Sequence, residues 1–222
     1  MINSLLWTPL AFGLIGLLLP KRLTGWWATL GTLVTLGIAI SMLAGFDSGA
    51  SGLQDTVDVT WIAGLGVDYS LGIDGLNLFL VLLTAVLWLG ATAFAAFREQ
   101  ERPQLFFLMM LLGETATLGS FLAQDLLLFV LFFDLMLVPF YFLFGAWGRD
   151  REGGPTASSA TLKMIVYTLI GSLLMLVGAI ATAIIAADGG QVTFSIAGLA
   201  RHPLGDGTQT WIFWFFAAAF LV

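Results

Sequence analysis

The sequence predicts an all-α integral membrane bundle, and three observations indicate this fold class. Hydrophobic residues make up 59% of the 222 residues and charged residues only 10%, whereas a soluble domain typically carries about 25% charged residues. Several apolar stretches reach the roughly 18–20 residues that a helix needs to cross a bilayer. Lysine and arginine are concentrated in alternate connecting segments.

Six apolar stretches predict complete transmembrane helices, and a seventh predicts a truncated one. The first lacks the basic start of a signal peptide, and its basic pair follows the apolar run, so it is predicted to be a retained helix. Because a chain end inside hydrocarbon leaves carbonyl groups without partners, we expect the sequence to be part of a longer protein. The predicted spans are 3–20, 24–45, 75–97, 104–123, 126–147 and 162–187, with the seventh starting near 210.

The distribution of basic residues predicts the orientation of these spans. Seven of the eight lysine and arginine residues fall in three alternate segments, and only Arg201 falls on the opposite side. Basic residues in short loops stay on the cytoplasmic side. The N-terminus is therefore predicted to lie outside a bacterial plasma membrane or, as the alternative, a thylakoid membrane. The seven residues are Lys21, Arg22, Arg98, Arg102, Arg149, Arg151 and Lys163.

The outer segment before the third span predicts a short β-hairpin. VDVTWI (57–62) and VDYSLGI (67–73) alternate apolar and polar residues, and a glycine-containing turn separates them. The chain then divides into helices 1–2 with the start of an outer loop (1–56), the hairpin (57–74) and helices 3–7 (75–222).

Composition excludes several kinds of site. The chain has no cysteine and one histidine, His202, so thiolate metal sites and disulfides are excluded and a metal site is not predicted. His202 is interpreted as an ordinary loop residue. A net charge of −6 does not fit a nucleic-acid-binding surface. No cofactor is predicted in this chain.

Two carboxylates lie inside predicted spans, Glu114 in the fourth and Asp134 in the fifth. An ionisable group at mid-bilayer costs about 2.5–3.5 kcal/mol on insertion scales, so such residues face the protein interior or water. Pro139 cannot donate to the carbonyl of Leu135 and is predicted to bend the helix next to Asp134. The acid and the free carbonyl can then hold water together.

Each of these residues also has a purely structural interpretation. Asp134 can be a neutral acid bonded to a neighbouring helix, and Glu114 can bridge helices. Lys163, at the start of the sixth span, can extend to the interface as a topological signal, or it can act as a cation at the mouth of a water path. Asp125 is interpreted as an interfacial residue or a helix N-terminal charge, and Gly171, Ser172 and Gly178 as residues for close helix packing.

Three stretches resemble, in the same order, the NuoM/NdhD group of antiporter-like membrane subunits of complex I. The resemblance runs through most of 57–222 and is one of pattern only in 1–56. The stretches are GVDYSLGIDGLNLFLVLLTAVL (66–87), AQDLLLFVLFFDLMLVPFYFLFGAWG (123–148) and ATLKMIVYTLIGSLLMLVG (160–178).

The resemblance implies a fold of fourteen helices with two inverted five-helix repeats, of which this chain supplies the outer helices and most of the first repeat. It places the family's fifth-helix acid at Asp134, where glutamate is usual, and its sixth-helix lysine at Lys163. Glu114 has no assigned counterpart. A lysine followed by proline is expected soon after Val222.

The function implied first is proton translocation by a subunit of NADH:quinone oxidoreductase, with NADH and quinone acting on other subunits and with other membrane-arm subunits as partners. Asp134, Lys163 and Glu114 are the predicted proton-pathway residues. The alternatives are a subunit of an Mrp-type cation/proton antiporter, which shares the fold, and a structural membrane subunit without transport.

Overall fold

A computed structural model describes residues 1–50, 52–148, 150, 156–187, 190–201 and 204–221. It contains eight α-helices and one two-stranded antiparallel sheet within this part of the chain. The helices are α1 (Ile2–Gly16), α2 (Lys21–Ala44), α3 (Asn77–Ala96), α4 (Pro103–Leu122), α5 (Leu126–Trp147), α6 (Ala157–Ala187), α7 (Ile196–Arg201) and α8 (Asp206–Leu221).

Five of the described helices, α2 to α6, are long and apolar enough to cross a membrane. The first predicted span is shorter than expected, because α1 has 15 residues and is therefore only about 22 Å long. The chain thus forms a multi-pass membrane bundle, and the number of complete spans stays a prediction. Its orientation also stays a prediction, and Arg149, Arg151 and His202 lie outside the described residues.

The predicted hairpin is confirmed, with β1 (Gln54–Ile62) paired to β2 (Val67–Ile73). A single 3-10 turn, Ala63–Leu65, joins the strands, and Gly66 follows it with φ +68°. Glycine is needed there, because a Cβ atom would overlap the carbonyl oxygen of Val192 and because positive φ disfavours other residues. The hairpin therefore packs closely against the segment that follows α6.

Helix α4 is the centre of the bundle. It packs against α1, α2, α3 and α5, and 67% of its most apolar stretch is buried, compared with 22% for α5. Small residues permit this packing, since a methyl group on Gly13 of α1 would lie 3.0 Å from Leu108. Beyond this core, α5 packs on α6 and α6 packs on α8.

Asp125 ties the outer end of α5 to the hairpin. Its side chain accepts hydrogen bonds from the N–H groups of Leu127 and Leu128, at 2.9 and 3.0 Å, and from the N–H of Asp68 at 3.2 Å. The predicted helix N-terminal position is thus confirmed. Burial raises the pKa of the Asp125 carboxyl, and the three backbone N–H groups oppose that effect.

Three features of the fold differ from the prediction. The short helix α7 precedes α8, which begins at Asp206 rather than near 210. Helix α6 begins at Ala157, five residues before the predicted span, because the polar start of the helix lies beyond the apolar stretch that defined the span. Thr156 supports this start by accepting a hydrogen bond from the N–H of Ser159 at 3.3 Å.

Candidate functional site

Asp134 lies in the middle of α5 and is half-buried. Its Oδ1 atom is fully enclosed and has no hydrogen-bond partner among the described residues. A buried polar atom without a partner costs about 1–3 kcal/mol, so such an atom in a native protein calls for a functional explanation or an unseen partner. Asp134 is therefore a candidate for a functional acid.

Pro139 is buried within α5, which continues as a helix on both sides of it. A proline at this position leaves the carbonyl of Leu135 without its usual donor. Leu135 is the next residue after Asp134, so a carbonyl oxygen that can accept a hydrogen bond lies beside the acid. The predicted bend itself stays a prediction.

The packing of α4 on α5 gives the relative depth of the two membrane acids. A methyl group built on Gly113 would lie 3.6 Å from Pro139, and one built on Gly119 would overlap the ring of Phe132. The helices run antiparallel, so counting from these two contacts places Glu114 about 4.5–6 Å from the depth of Asp134. The two acids therefore lie at similar depth, within about one helical turn of each other.

The two acids nevertheless point in different directions. Asp134 follows Phe132 by two residues, which is about 200° around the helix, so it lies on the side of α5 away from α4. Glu114 lies five residues before Gly119, about 140° away from the face that packs on α5. The two carboxylates do not face each other, and a shared proton between them is not supported.

Glu114 instead faces the core formed by α1 to α4. It lies two turns beyond Phe107, whose ring packs on α2 near Gly25. Thr32 lies two turns beyond Gly25 along α2, at the level that corresponds to Glu114. It is fully buried, and its hydroxyl donates a hydrogen bond to the carbonyl of Thr29 at 2.9 Å. Both carboxylate oxygens of Glu114 are buried and without a hydrogen-bond partner in the described part of the chain. This acid is enclosed far more completely than Asp134.

Lys163 is exposed near the start of α6. A methyl group on Gly145 of α5 would lie 3.7 Å from Thr161 of α6, and counting from this contact separates Lys163 from the depth of Asp134 by nine residues, or about 13 Å. Within the described residues the structure contains one ion pair, between the N-terminal ammonium group and Asp55. The structure thus does not bring Lys163 into contact with Asp134.

The described residues contain no group of three or more His, Cys, Asp or Glu side chains that could hold a metal ion. The structure adds one polar side chain to this region, Ser172, which the sequence indicated only as a small packing residue. It is 2% exposed, and its hydroxyl oxygen has no hydrogen-bond partner among the described residues. Its hydrogen bonding depends on the helix it faces, which a single sequence does not reveal.

The bundle, its outer hairpin and its mid-membrane acid together define an antiporter-like membrane subunit. Residues 123–222 match the family model described as "NADH:quinone oxidoreductase/Mrp antiporter, TM". The predicted resemblance to NuoM/NdhD-type subunits is confirmed by this match and by the relatives described next.

Two curated relatives and one solved structure illustrate the similarity. The chain is 35% identical to the F(420)H(2) dehydrogenase subunit M of Methanosarcina mazei over 177 residues, covering 79% of this chain and 35% of that protein. It is 35% identical to the NADH-quinone oxidoreductase subunit M of Rhodobacter capsulatus over 205 residues, covering 89% and 38%. The chain thus spans little more than a third of these relatives.

The fold is also similar to a chain in respiratory complex I from Thermus thermophilus with bound NADH. That match has a TM-score of 0.83 and 27% sequence identity, and it covers 99% of this chain and 43% of the other. Because nearly the whole chain superposes, the arrangement of helices described above is one that occurs in a respiratory membrane complex.

Proposed function

We propose that this chain is part of a proton-translocating membrane subunit of a complex I type NADH:quinone oxidoreductase. The observation that carries the proposal is the carboxyl group of Asp134, which lies in the middle of an apolar helix, is half-buried, and has one oxygen without a hydrogen-bond partner in the described residues. An ionisable group at such a position costs free energy in a membrane, which favours a role in a transport path. The family assignment supports the same function.

In this proposal Asp134 takes up and releases a proton as the complex turns over. Pro139 contributes by leaving the carbonyl of Leu135 free to hold water beside the acid. The inner part of α8 approaches the same region, because the rings of Phe220 and Phe133 lie 6.3 Å apart. The family resemblance leads us to expect a lysine soon after Val222, in the sequence that follows this contact.

Lys163 acts only from a distance in this proposal. Lys163 lies nine residues along α6 from the position that is level with Asp134. Nine residues are about two and a half turns, which corresponds to about 13 Å in depth. Two unit charges at that distance interact by about 1 kcal/mol at an effective dielectric constant of 20. Lys163 can therefore bias the charge of Asp134 without donating a hydrogen bond to it.

The redox reaction belongs to other subunits in this proposal, so NADH and quinone bind elsewhere and this chain carries no cofactor. Its partners are the lipid bilayer and the other membrane-arm subunits. The N-terminus lies outside a bacterial plasma membrane, and nucleic acid has no role.

The test is Asp134→Asn in the assembled complex, reconstituted into vesicles. Loss of a proton-transferring group lowers rates by about a hundredfold or more in typical enzymes, so coupled proton pumping should fall to background while assembly persists. Asp134→Glu, which keeps the acid and adds one methylene, is the matched control and should retain much of the activity. Full pumping by an assembled Asp134→Asn complex would refute the proposal.

The Mrp-type cation/proton antiporter subunit remains a second candidate, because the description of the matching family covers both kinds of protein. Purification of the complete native complex separates them. Subunits that react with NADH or quinone favour the oxidoreductase, and small antiporter subunits favour the alternative. A structural subunit without transport would show unchanged proton flux when Asp134 and Glu114 are neutralised together.

A further inference from the structure

Ser172 of α6, like Thr92 of α3, differs from the other buried hydroxyl residues of the spanning helices. Most of these hydroxyl groups donate to a carbonyl three or four residues earlier in their own helix, an arrangement that satisfies them without any outside partner. The hydroxyl of Ser172 is enclosed but makes no such bond. Hydroxyls that do make it include those of Thr84, Thr115, Thr117, Ser120, Thr168 and Thr182.

The packing of α5 on α6 brings Ser172 opposite Asp134. At the inner end of the pair, Gly145 contacts Thr161, with 3.7 Å from a built methyl group to the threonine Cγ2. Asp134 lies eleven residues before Gly145, and Ser172 lies eleven residues after Thr161. Eleven residues are about three full turns, so both side chains return to the faces that make the Gly145–Thr161 contact.

A second contact on the outer side confirms the alignment. Val130 and Met175 are buried in the same cluster between α5 and α6. Asp134 follows Val130 by four residues and Ser172 precedes Met175 by three, so each lies one turn further in on the same face. The two polar side chains are therefore enclosed between contacts on both sides.

The carboxyl oxygen and the hydroxyl do not bond directly, since each lacks a hydrogen-bond partner. A buried water is stable where two to four polar groups can bind it. Asp134 and Ser172 supply two such groups, and the carbonyl of Leu135, freed by Pro139, supplies a third. Apolar residues such as Val130 and Met175 close the site towards the outer side.

We propose that Ser172 is the α6 partner of Asp134, and that its hydroxyl and the Asp134 carboxyl hold a water molecule between α5 and α6. The inference rests on the proposed function. The Asp134 carboxylate accepts a proton from this water, and the water accepts a replacement proton from the next water of the path. Ser172 neither gains nor loses a proton, so it is a positioning residue.

The test uses infrared difference spectra of the complete complex, recorded between its resting and quinone-reducing states. Asp134 should contribute a carboxyl C=O band that is absent in Asp134→Asn. In Ser172→Ala the band should move to higher wavenumber, because the carboxyl group loses its bound water. The matched control is Ser120→Ala, since Ser120 is also buried but donates to the carbonyl of Ala116.

Activity provides the second measurement. Ser172→Ala should lower coupled pumping about fivefold, the effect of losing one hydrogen bond, and Ser172→Thr, which keeps the hydroxyl, should restore it. Ser120→Ala should leave both the band and pumping unchanged.

The outcomes separate this inference from the proposed function. An Asp134 band that stays in place in Ser172→Ala overturns the role of Ser172 and leaves the role of Asp134 intact. A wild-type spectrum with no Asp134 band, together with full pumping by Asp134→Asn, overturns the proposed function itself.

Discussion

The two membrane acids lie at similar depth in adjacent helices but in opposite kinds of surroundings. Glu114 is fully buried in the central helix α4, on the face that packs towards α1 and α2. Asp134 lies on α5, which is much less enclosed, and faces the seam between α5 and α6. Depth in the membrane is thus nearly the same for both acids, while access to their carboxyl groups differs.

This difference shows why depth alone does not identify a transport residue. A proton carrier must exchange its proton with a neighbour, so it needs a polar group opposite and a way for water to reach it. Asp134 has Ser172 as its proposed partner on α6, and Pro139 leaves a carbonyl free in its own helix. Glu114 is enclosed among α1 to α4, where the buried hydroxyl of Thr32, at the corresponding level of α2, is already bonded to the carbonyl of Thr29. The comparison therefore favours the proposed proton exchange at Asp134 and a structural role for Glu114.

The largest effect is expected from disrupting the contact between α4, which carries Glu114, and α5, which carries Asp134. Gly119 of α4 lies against the ring of Phe132, and a methyl group there would overlap it. Gly119→Ala should force α4 and α5 apart and destabilise the protein by about 1–3 kcal/mol, seen as a lower yield of assembled complex. Gly90→Ala, which places a methyl group in open space on α3, is the control. Normal assembly of the Gly119 variant would show that the packing of α4 on α5 is looser than described.

A smaller effect is expected at the α5–α6 seam from Lys163→Gln. The lysine is exposed and about 13 Å in depth from Asp134, so its removal changes a long-range interaction of about 1 kcal/mol. Coupled pumping by the variant should be lower than that of the wild type by less than about tenfold. The difference between the two proteins should become smaller at high salt, because ions screen exposed charges. Complete loss of pumping would mean that Lys163 contacts the path directly.

The smallest effect is expected from Glu114→Gln. The amide keeps nearly the volume of the side chain, so packing of the core is preserved. Proton pumping by the assembled complex should stay within about twofold of the wild type. A loss as large as that of Asp134→Asn would refute the structural role and show that a second proton path runs through the α1–α4 core.

The sequence predicted the helices and the hairpin well, because run length and alternation are local properties. Its errors lie where local pattern is weak, as in the short helix α7 and in the polar start of α6 at Ala157. It also predicted Asp134, Glu114 and Lys163 as candidates from charge alone. It did not predict which faces they occupy, because the rotation of one helix against another is set by contacts such as Gly119 with Phe132.

Ser172 illustrates the same limit. The sequence indicated correctly that this residue lies in a close helix contact. The pairing with Asp134 that we propose follows from the register of α5 against α6, and only the hydrogen-bond pattern shows that the Ser172 hydroxyl is unused by its own helix. Helix register and hydrogen bonding both arise only when the helices pack together, so the sequence alone does not predict them.

The most direct test of this account asks which of the two acids changes its protonation during turnover. Infrared difference spectra of the complete complex can be compared for the wild type, Asp134→Asn and Glu114→Gln. The account predicts a carboxyl band that is lost in Asp134→Asn and kept in Glu114→Gln. A band that survives in Asp134→Asn and disappears in Glu114→Gln would contradict it.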